Sequence, residues 1–305
     1  MQYRFHTFVE LQAILEAESI SAPEYGIKRE AFMTGLPEER IRAEFDRRIA
    51  VTRNALLQGL EHPQHSRLGL TKGAAVAFTK AERHLIRDDL FTRSLAYSLA
   101  INEVNACGGK VVAFPTAGSS GIVPGVIWAW WDTRSQGASG TVRLNDPPYD
   151  PRLQDAFTLA SLTGVIIAQG ATLAGSEGGC QAECGAAGAM AACALAYLEG
   201  LPLGACFSAA ALSLKNSLGL ACDPVAGLVE VPCVKRNAFV AANVLTAVDL
   251  TLSGIESIIP FDEVVWAMKQ IGDSLPASIR ENAAGGLAIT PTGCMVKQAL
   301  ERLQP

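Results

Sequence analysis

Residues 179–198 read GCQAECGAAGAMAACALAYL. Alanine is the strongest helix former, so the stretch from Gly179 to Leu198 predicts a helix. Its small residues between Cys180 and Ala194 let neighbouring helices come close around something central. The rest of the chain has the same character, being rich in Ala, Leu and Gly and poor in period-two runs of Val, Ile, Tyr and Thr. An all-α fold with at most short strands is expected.

Working outward, helical spacing predicts helices over Pro151–Leu173, Pro202–Leu218, Val234–Leu252 and Phe261–Ile279. The segment from Asp132 to Asp150 is polar, carries Gly137, Gly140, Pro147 and Pro148, and has no apolar period. It reads as a surface excursion and a boundary between subregions. Before it, Trp128, Trp130 and Trp131 sit at helical spacing and read as core or interface. Thr116–Gly125 is a glycine-rich turn, and Lys110–Phe114 a short extended piece. Helices are expected over Ala74–Ile86 and Thr92–Cys107, the second stopped by Gly108 and Gly109, with a loop from His62 to Gly73. The N-terminal helical part, about residues 1–62, holds three more. One covers Thr7–Glu18, one opens on the Ser21–Glu24 capping box and stops at Gly35, and one runs from Pro37 to Leu60. No internal repeat is present.

The 305 residues are 49% hydrophobic and 18% charged, a balance that excludes disorder as the ground state. The net charge is -5, and Lys and Arg form no stripe, so nucleic acid is not an expected partner. Residues Met1–His6 lack an apolar signal core, and no window of about 18 apolar residues occurs, so a cytoplasmic chain without membrane spans is expected. In that compartment the eight cysteines stay reduced, which favours metal binding or reactivity over disulfides. Cys107, Cys193 and Cys206 lie in apolar surroundings and read as small hydrophobes, and Cys294 needs no special role either.

Three cysteines are different. Cys180 follows Gly178 and Gly179 at a helix start, where free backbone N–H groups and the helix dipole stabilise a thiolate or a sulfide-bridged cluster. Cys222 and Cys233 bracket the turn Asp223–Gly227, and a loop of this length with Pro232 before its second cysteine can aim both sulfurs inward. All four histidines lie in the first 84 residues, so a Cys2His2 zinc finger is not written here. Separated thiolates without a Cys-x-x-Cys pair suit an iron–sulfur cluster with one open iron better than a closed structural zinc site.

Longer segments around these cysteines carry a resemblance. Asn102–Ala106 (NEVNA), Pro115–Gly125 (PTAGSSGIVPG), Gly178–Glu183 (GGCQAE), Lys215–Asn237 (KNSLGLACDPVAGLVEVPCVKRN) and Gly285–Gly293 (GGLAITPTG) are similar to the α-subunit family of iron–sulfur-dependent L-serine dehydratases. The likeness runs from about residue 5 to the end. It implies one α-type catalytic domain over 1–305, Ala/Gly-rich helices packed around a cluster site, and conversion of L-serine to pyruvate and ammonia. It also implies a 4Fe-4S cluster held by Cys180, Cys222 and Cys233. Three ligands suit the chemistry, because hydroxide is a poor leaving group and an open Lewis-acidic iron assists its departure. Cys184, one helical turn after Cys180, is commonly not cysteine in the family and reads as a spectator.

On the substrate side, Thr116, Ser119 and Ser120 suit an amino-acid carboxylate, since small residues let N–H groups and hydroxyls converge on an anion. Arg236 either clamps that carboxylate or fixes the second cysteine loop through Asp223 or Glu230. Asn102, Glu103 and Asn105 share a helix and read as ammonium contacts, supporting groups around the site, or structural residues. Lys215 reads as an electrostatic neighbour of the cluster.

Two departures from the family pattern stand out. The Ser-His-Thr type motif of the family's β region is absent from these 305 residues, which implies a separate β subunit, a homo- or hetero-oligomer, and an unassigned catalytic base that such a partner could carry. Gly69–Ala74 reads GLTKGA where two-subunit relatives tend to have GLTGGD, so Lys72 and Ala74 alter local charge and backbone freedom. The substrate expectation is therefore L-serine or a close β-hydroxy amino acid. Two other readings stay open: a pyridoxal-phosphate ammonia-lyase with Lys215 as the Schiff base and Gly118–Gly121 cradling phosphate, and a non-catalytic scaffold subunit bearing the cluster.

Overall fold

The Thr7 hydroxyl accepts from Glu10 N–H at 3.1 Å and opens α1 (Phe8–Glu18). Ser21 does the same for Glu24 N–H at the head of α2 (Ala22–Thr34), which Gly35 ends in the left-handed region. The long charged helix α3 (Glu38–Glu61) follows. This computed structural model describes residues 2–134 and 150–303. The remaining helices are α4 (Ala74–Thr79), α5 (Asp89–Ala106), α6 (Ile122–Arg134), α7 (Pro151–Gly170), α8 (Gly175–Gly178), α9 (Ala186–Leu198), α10 (Leu203–Lys215), α11 (Cys233–Leu252), α12 (Phe261–Ser274) and α13 (Pro291–Leu303). No strand occurs among the described residues, and the all-α expectation is met. Among the described residues, isolated bridges join His65 to Lys72 and Cys222 to Arg280.

The helix α9 is buried from Ala186 to Ala196 and packs against α6, α7, α10 and α11. Alanine permits this. A Cβ on Gly188 would lie 2.9 Å from Val240 Cγ1 of α11 and 3.0 Å from Ser213 Oγ of α10, so two helices close on one glycine. The surrounding core is contiguous from Phe5 to Met268. The tryptophans belong to it: Trp128 is fully buried, donates to Thr52 Oγ1 at 2.9 Å and stacks under the Arg53 guanidinium, while Trp130 donates to Glu199 at 2.7 Å.

Several boundaries differ from the sequence expectation. The helix expected to run to Ile86 stops at Thr79, because Leu85 is wholly exposed and Ile86 nearly half exposed. A short segment with no apolar face to bury gains nothing from continuing as helix. Lys110–Phe114 pairs with no neighbouring strand. The glycine-rich turn ends sooner than expected, since α6 begins at Ile122 and takes in Pro124, whose missing N–H is harmless in a first turn. The Phe261–Ile279 segment breaks at Leu275, ahead of Pro276. Of the expected excursion from Asp132 to Asp150, residues 132–134 continue α6 and 135–149 lie outside the described residues.

Candidate metal centre

The helix expected from Gly179 is not uniform, and the irregular part carries the chemistry. Gly179 takes φ +74°, which a side chain would resist, and turns the chain out of α8. Cys180 then heads a π-helical turn, Gln181–Gly185, that runs into α9. Such turns rotate side chains off the regular helical face and recur at functional sites. Gln181 is fully buried and pins the turn: its Nε2 donates to Met268 O at 2.9 Å and its Oε1 accepts from Gly219 N–H at 2.9 Å.

The second cysteine loop is held from three directions. Cys222 N–H donates to Ile279 O at 2.9 Å and Cys222 O accepts from Glu281 N–H at 2.7 Å, which lays the C-terminal segment alongside the cysteine. Asp223 accepts from Leu287 N–H at 2.8 Å. Arg236 donates to Ala221 O at 2.9 Å and lies 3.9 Å from Asp223, while Glu230 is held instead by Thr71 at 2.7 Å. Cys233 closes the loop and starts α11, where its carbonyl accepts from Asn237 Nδ2 at 2.9 Å.

These constraints bring Cys180, Cys184, Cys222 and Cys233 to the wall of one narrow cavity of about 30 Å³, together with Glu183 and Glu281. Cys180, Cys184 and Cys222 are almost fully buried. Hydrogen bonds from Cys184 and Cys222, followed by the Arg236 charge, hold the Cys180 thiol well below the usual thiol range. The same hydrogen bonding to Cys180, with burial, pushes Cys184 and Cys222 upward. Burial pushes Cys233 up to about 12. Glu183 is raised to about 7, first by burial and then by the Cys180 charge.

The other residues singled out in the sequence fall into two groups. The Thr116 hydroxyl lies 3.2 Å from Ser119 Oγ and near enough to Glu183 to favour its carboxylate, although Thr116 itself is outside the cavity lining. Ser119 donates to Phe114 O at 2.8 Å, and Ser120 Oγ accepts from Asn102 Nδ2 at 3.3 Å, so both hydroxyls are committed to the turn itself. Asn102 also donates to Ala117 O and Gly118 O, at 3.2 and 3.1 Å. Glu103 accepts from Ala74 and Ala75 N–H at 2.6 and 3.0 Å and caps α4. Asn105 lies half-buried near the end of α5, and Lys215 ends α10 outside the cavity lining. For a phosphate cradle the turn would need free N–H groups, yet Gly121 N–H is taken by Asn237 Oδ1 at 3.0 Å and Ser120 N–H by Ala117 O at 3.2 Å.

Sequence reading assigned no role to Glu183, Gln181 or Asn237. Glu183 Oε2 accepts from Cys222 Sγ at 3.4 Å, and a Cβ on Gly175 would lie 2.6 Å from that oxygen. The available signal was an acid three residues after one cysteine and one before another. Asn237 is fully buried and ties α11 to the glycine turn by donating to Gly118 O at 2.8 Å. Its signal was an amide one helical turn after Cys233.

The family model described as serine dehydratase alpha chain matches residues 10–288. This chain belongs to that family. Among curated relatives of the serine dehydratase alpha chain, it is similar to a probable L-serine dehydratase alpha chain of Bacillus subtilis, 41% identical over 292 residues that cover 95% of this chain and 93% of the relative. An L-serine dehydratase alpha chain of Peptoniphilus asaccharolyticus is 38% identical over 86% of both chains. L-serine dehydratase 2 of Escherichia coli is 37% identical over 201 residues, which are 65% of this chain and 41% of that protein.

Proposed function

We propose that this chain is the α chain of an L-serine dehydratase, converting L-serine to pyruvate and ammonia with a 4Fe-4S cluster held by Cys180, Cys222 and Cys233. One observation carries the reading: in a member of the serine dehydratase alpha-chain family, three cysteines from two separate segments line a single cavity near a half-buried arginine. The donor set fits such a cluster. It offers soft thiols, one already inclined to ionise, with Arg236 to offset the accumulated negative charge.

When bound, the cluster supplies a Lewis-acidic iron that favours departure of the serine hydroxyl. The chain's own residues do the positioning. Arg236 keeps the Cys222 loop in place through Ala221 O and Asp223, and presents a cation beside the thiols to orient the substrate carboxylate. Thr116 would offer its hydroxyl to the substrate from its place near Glu183, while Asn102, Ser119 and Ser120 hold its turn rigid. Glu103 holds α4 against α5 through Ala74 and Ala75 N–H, and Asn105 and Lys215 stand near the ends of α5 and α10, outside the cavity lining.

None of the four histidines lines the cavity. We assign the acceptor of the α-carbon proton to a separate β chain, whose counterpart would lie in the part of the E. coli relative beyond this match. The setting proposed is the cytoplasm, where thiols stay reduced. No helix among the described residues is long and apolar enough to cross a membrane. Anaerobic reconstitution with iron and sulfide, followed by iron and acid-labile sulfide counts and a pyruvate assay on L-serine with the partner chain, tests the reading. Absence of a cluster, or no pyruvate with both chains present, removes it.

A further inference from the structure

The thiols of Cys180 and Cys222 and the carboxylate of Glu183 have ligand atoms all within 4.8 Å of one another. Cys233 lies on the same cavity but outside this trio. Cys222 Sγ stands 3.4 Å from Glu183 Oε2, and the Cys180 and Cys222 sulfurs lie within 4.8 Å of each other. These spacings have a direct reading in coordination geometry. A tetrahedral zinc ion with Zn–S near 2.3 Å and Zn–O near 2.0 Å sets two sulfurs about 3.8 Å apart and a sulfur and an oxygen about 3.5 Å apart. A cavity of about 30 Å³ also admits one ion with a water, whereas four irons and four sulfides require the sulfurs to spread.

We propose that Cys180, Cys222 and Glu183 form a mononuclear site for a single divalent transition ion, zinc or ferrous iron, which the chain fills when it carries no cluster. Two thiolates and one carboxylate make a three-ligand set with the fourth position open to water. Binding forms two metal–sulfur bonds and one metal–oxygen bond, and the displaced thiol protons go to the buffer. Glu183 is positioned for this by the π-helical turn and by the missing side chain at Gly175, which leaves its carboxylate room to lie against Cys222. The proposal concerns the same pocket as the cluster but does not depend on the cluster reading, because it uses Glu183 in place of Cys233.

Cobalt(II) is the probe, since tetrahedral cobalt bound to thiolate gives strong visible bands and a sulfur-to-metal charge-transfer band. The full chain, freed of metal under reductant and without oxygen, is titrated with cobalt and then with zinc. One cobalt per chain is expected, displaced by one zinc. Cys180→Ala and Cys222→Ala should weaken binding about tenfold or more, and Glu183→Gln should weaken it to a similar degree while keeping the charge-transfer band. Cys233→Ala should leave the cobalt spectrum unchanged, yet hold no cluster after reconstitution with iron and sulfide. Circular dichroism is recorded on every variant, and the Ser variant replaces any Ala variant that loses helix. No stoichiometric cobalt binding overturns the proposal. So does binding lost in Cys233→Ala and retained in Glu183→Gln. If reconstitution never yields a cluster while the cobalt pattern holds, the cluster reading fails and this one stands.

Discussion

Cys180 and Cys193 lie in the same alanine-rich stretch, and their surroundings give them opposite chemistry. Cys193 is completely buried, and burial pushes its thiol well above the usual range. Cys180 is equally enclosed, but thiol hydrogen bonds and Arg236 favour its thiolate. Replacing Cys180, Cys222 or Cys233 singly by Ala should abolish the cluster absorption after anaerobic reconstitution, whereas Cys193→Ala and Cys206→Ala should keep it. Equal loss in both sets would remove the ligand assignment. Asn237 is the other residue on which the site depends, since its amide links Gly118 O, Gly121 N–H and Cys233 O. Asn237→Ala leaves Gly121 N–H without its partner, with Gly118 O still held by Asn102, and should cost about 1–3 kcal/mol, read as a lower urea midpoint. An unchanged midpoint would show that the turn is held without it. That Cys180, Cys222 and Cys233 turn toward one place was legible in their glycine and proline neighbours, whereas Cys184, read as a spectator, lines the same cavity. The part played by Asn237 was not legible, because its partners in the glycine turn stand more than a hundred residues away.

At the scale of elements, periodicity located the long helices, since each buries an apolar face that repeats along the chain. It failed where burial failed. Nothing covers Leu85, so α4 ends early, and nothing in the run from Gly179 to Leu198 announces that its first turn is π-helical. That irregularity arises from outside, through Gln181 reaching Gly219 and Met268. Gln181→Ala should therefore lower iron retention on dilution more than it lowers the melting temperature; the reverse order would make Gln181 a packing residue alone. The close approach at Gly188 belongs to the same scale. Gly188→Val forces α10 and α11 away from α9 and should destabilise by about 1–3 kcal/mol or more, seen as a lower melting temperature. A variant as stable as the parent would mean that the helices can part there without loss.

The whole molecule places its cavity where the π-helical turn, the Cys222–Cys233 loop, the glycine turn and the C-terminal segment after α12 meet. The chain matches less than half of the E. coli relative but nearly all of the B. subtilis alpha chain. Under the two-chain reading, the isolated protein should accept the cluster and give no pyruvate from L-serine until the β chain is added. Sustained turnover by this chain alone would place the proton acceptor within it, and would direct attention back to the carboxylates at the cavity. All-α architecture, the absence of a basic stripe and the kinship of the cysteine segments were readable from the sequence, since each is a property of composition or of a contiguous run.

The sequence by itself determined which segments coil, which cysteines stand beside chain-turning residues, and to which family those segments are similar. Local propensity and periodicity act over a few residues and are written in order along the chain. Only the tertiary structure decided that Ser119 and Ser120 serve their own turn, that Arg236 grips Ala221 and Asp223 while Glu230 goes to Thr71, and that Glu183 stands among the thiols. Each of those outcomes is a choice among competing partners, settled by which groups packing brings within hydrogen-bonding distance. That distance is independent of their separation along the chain.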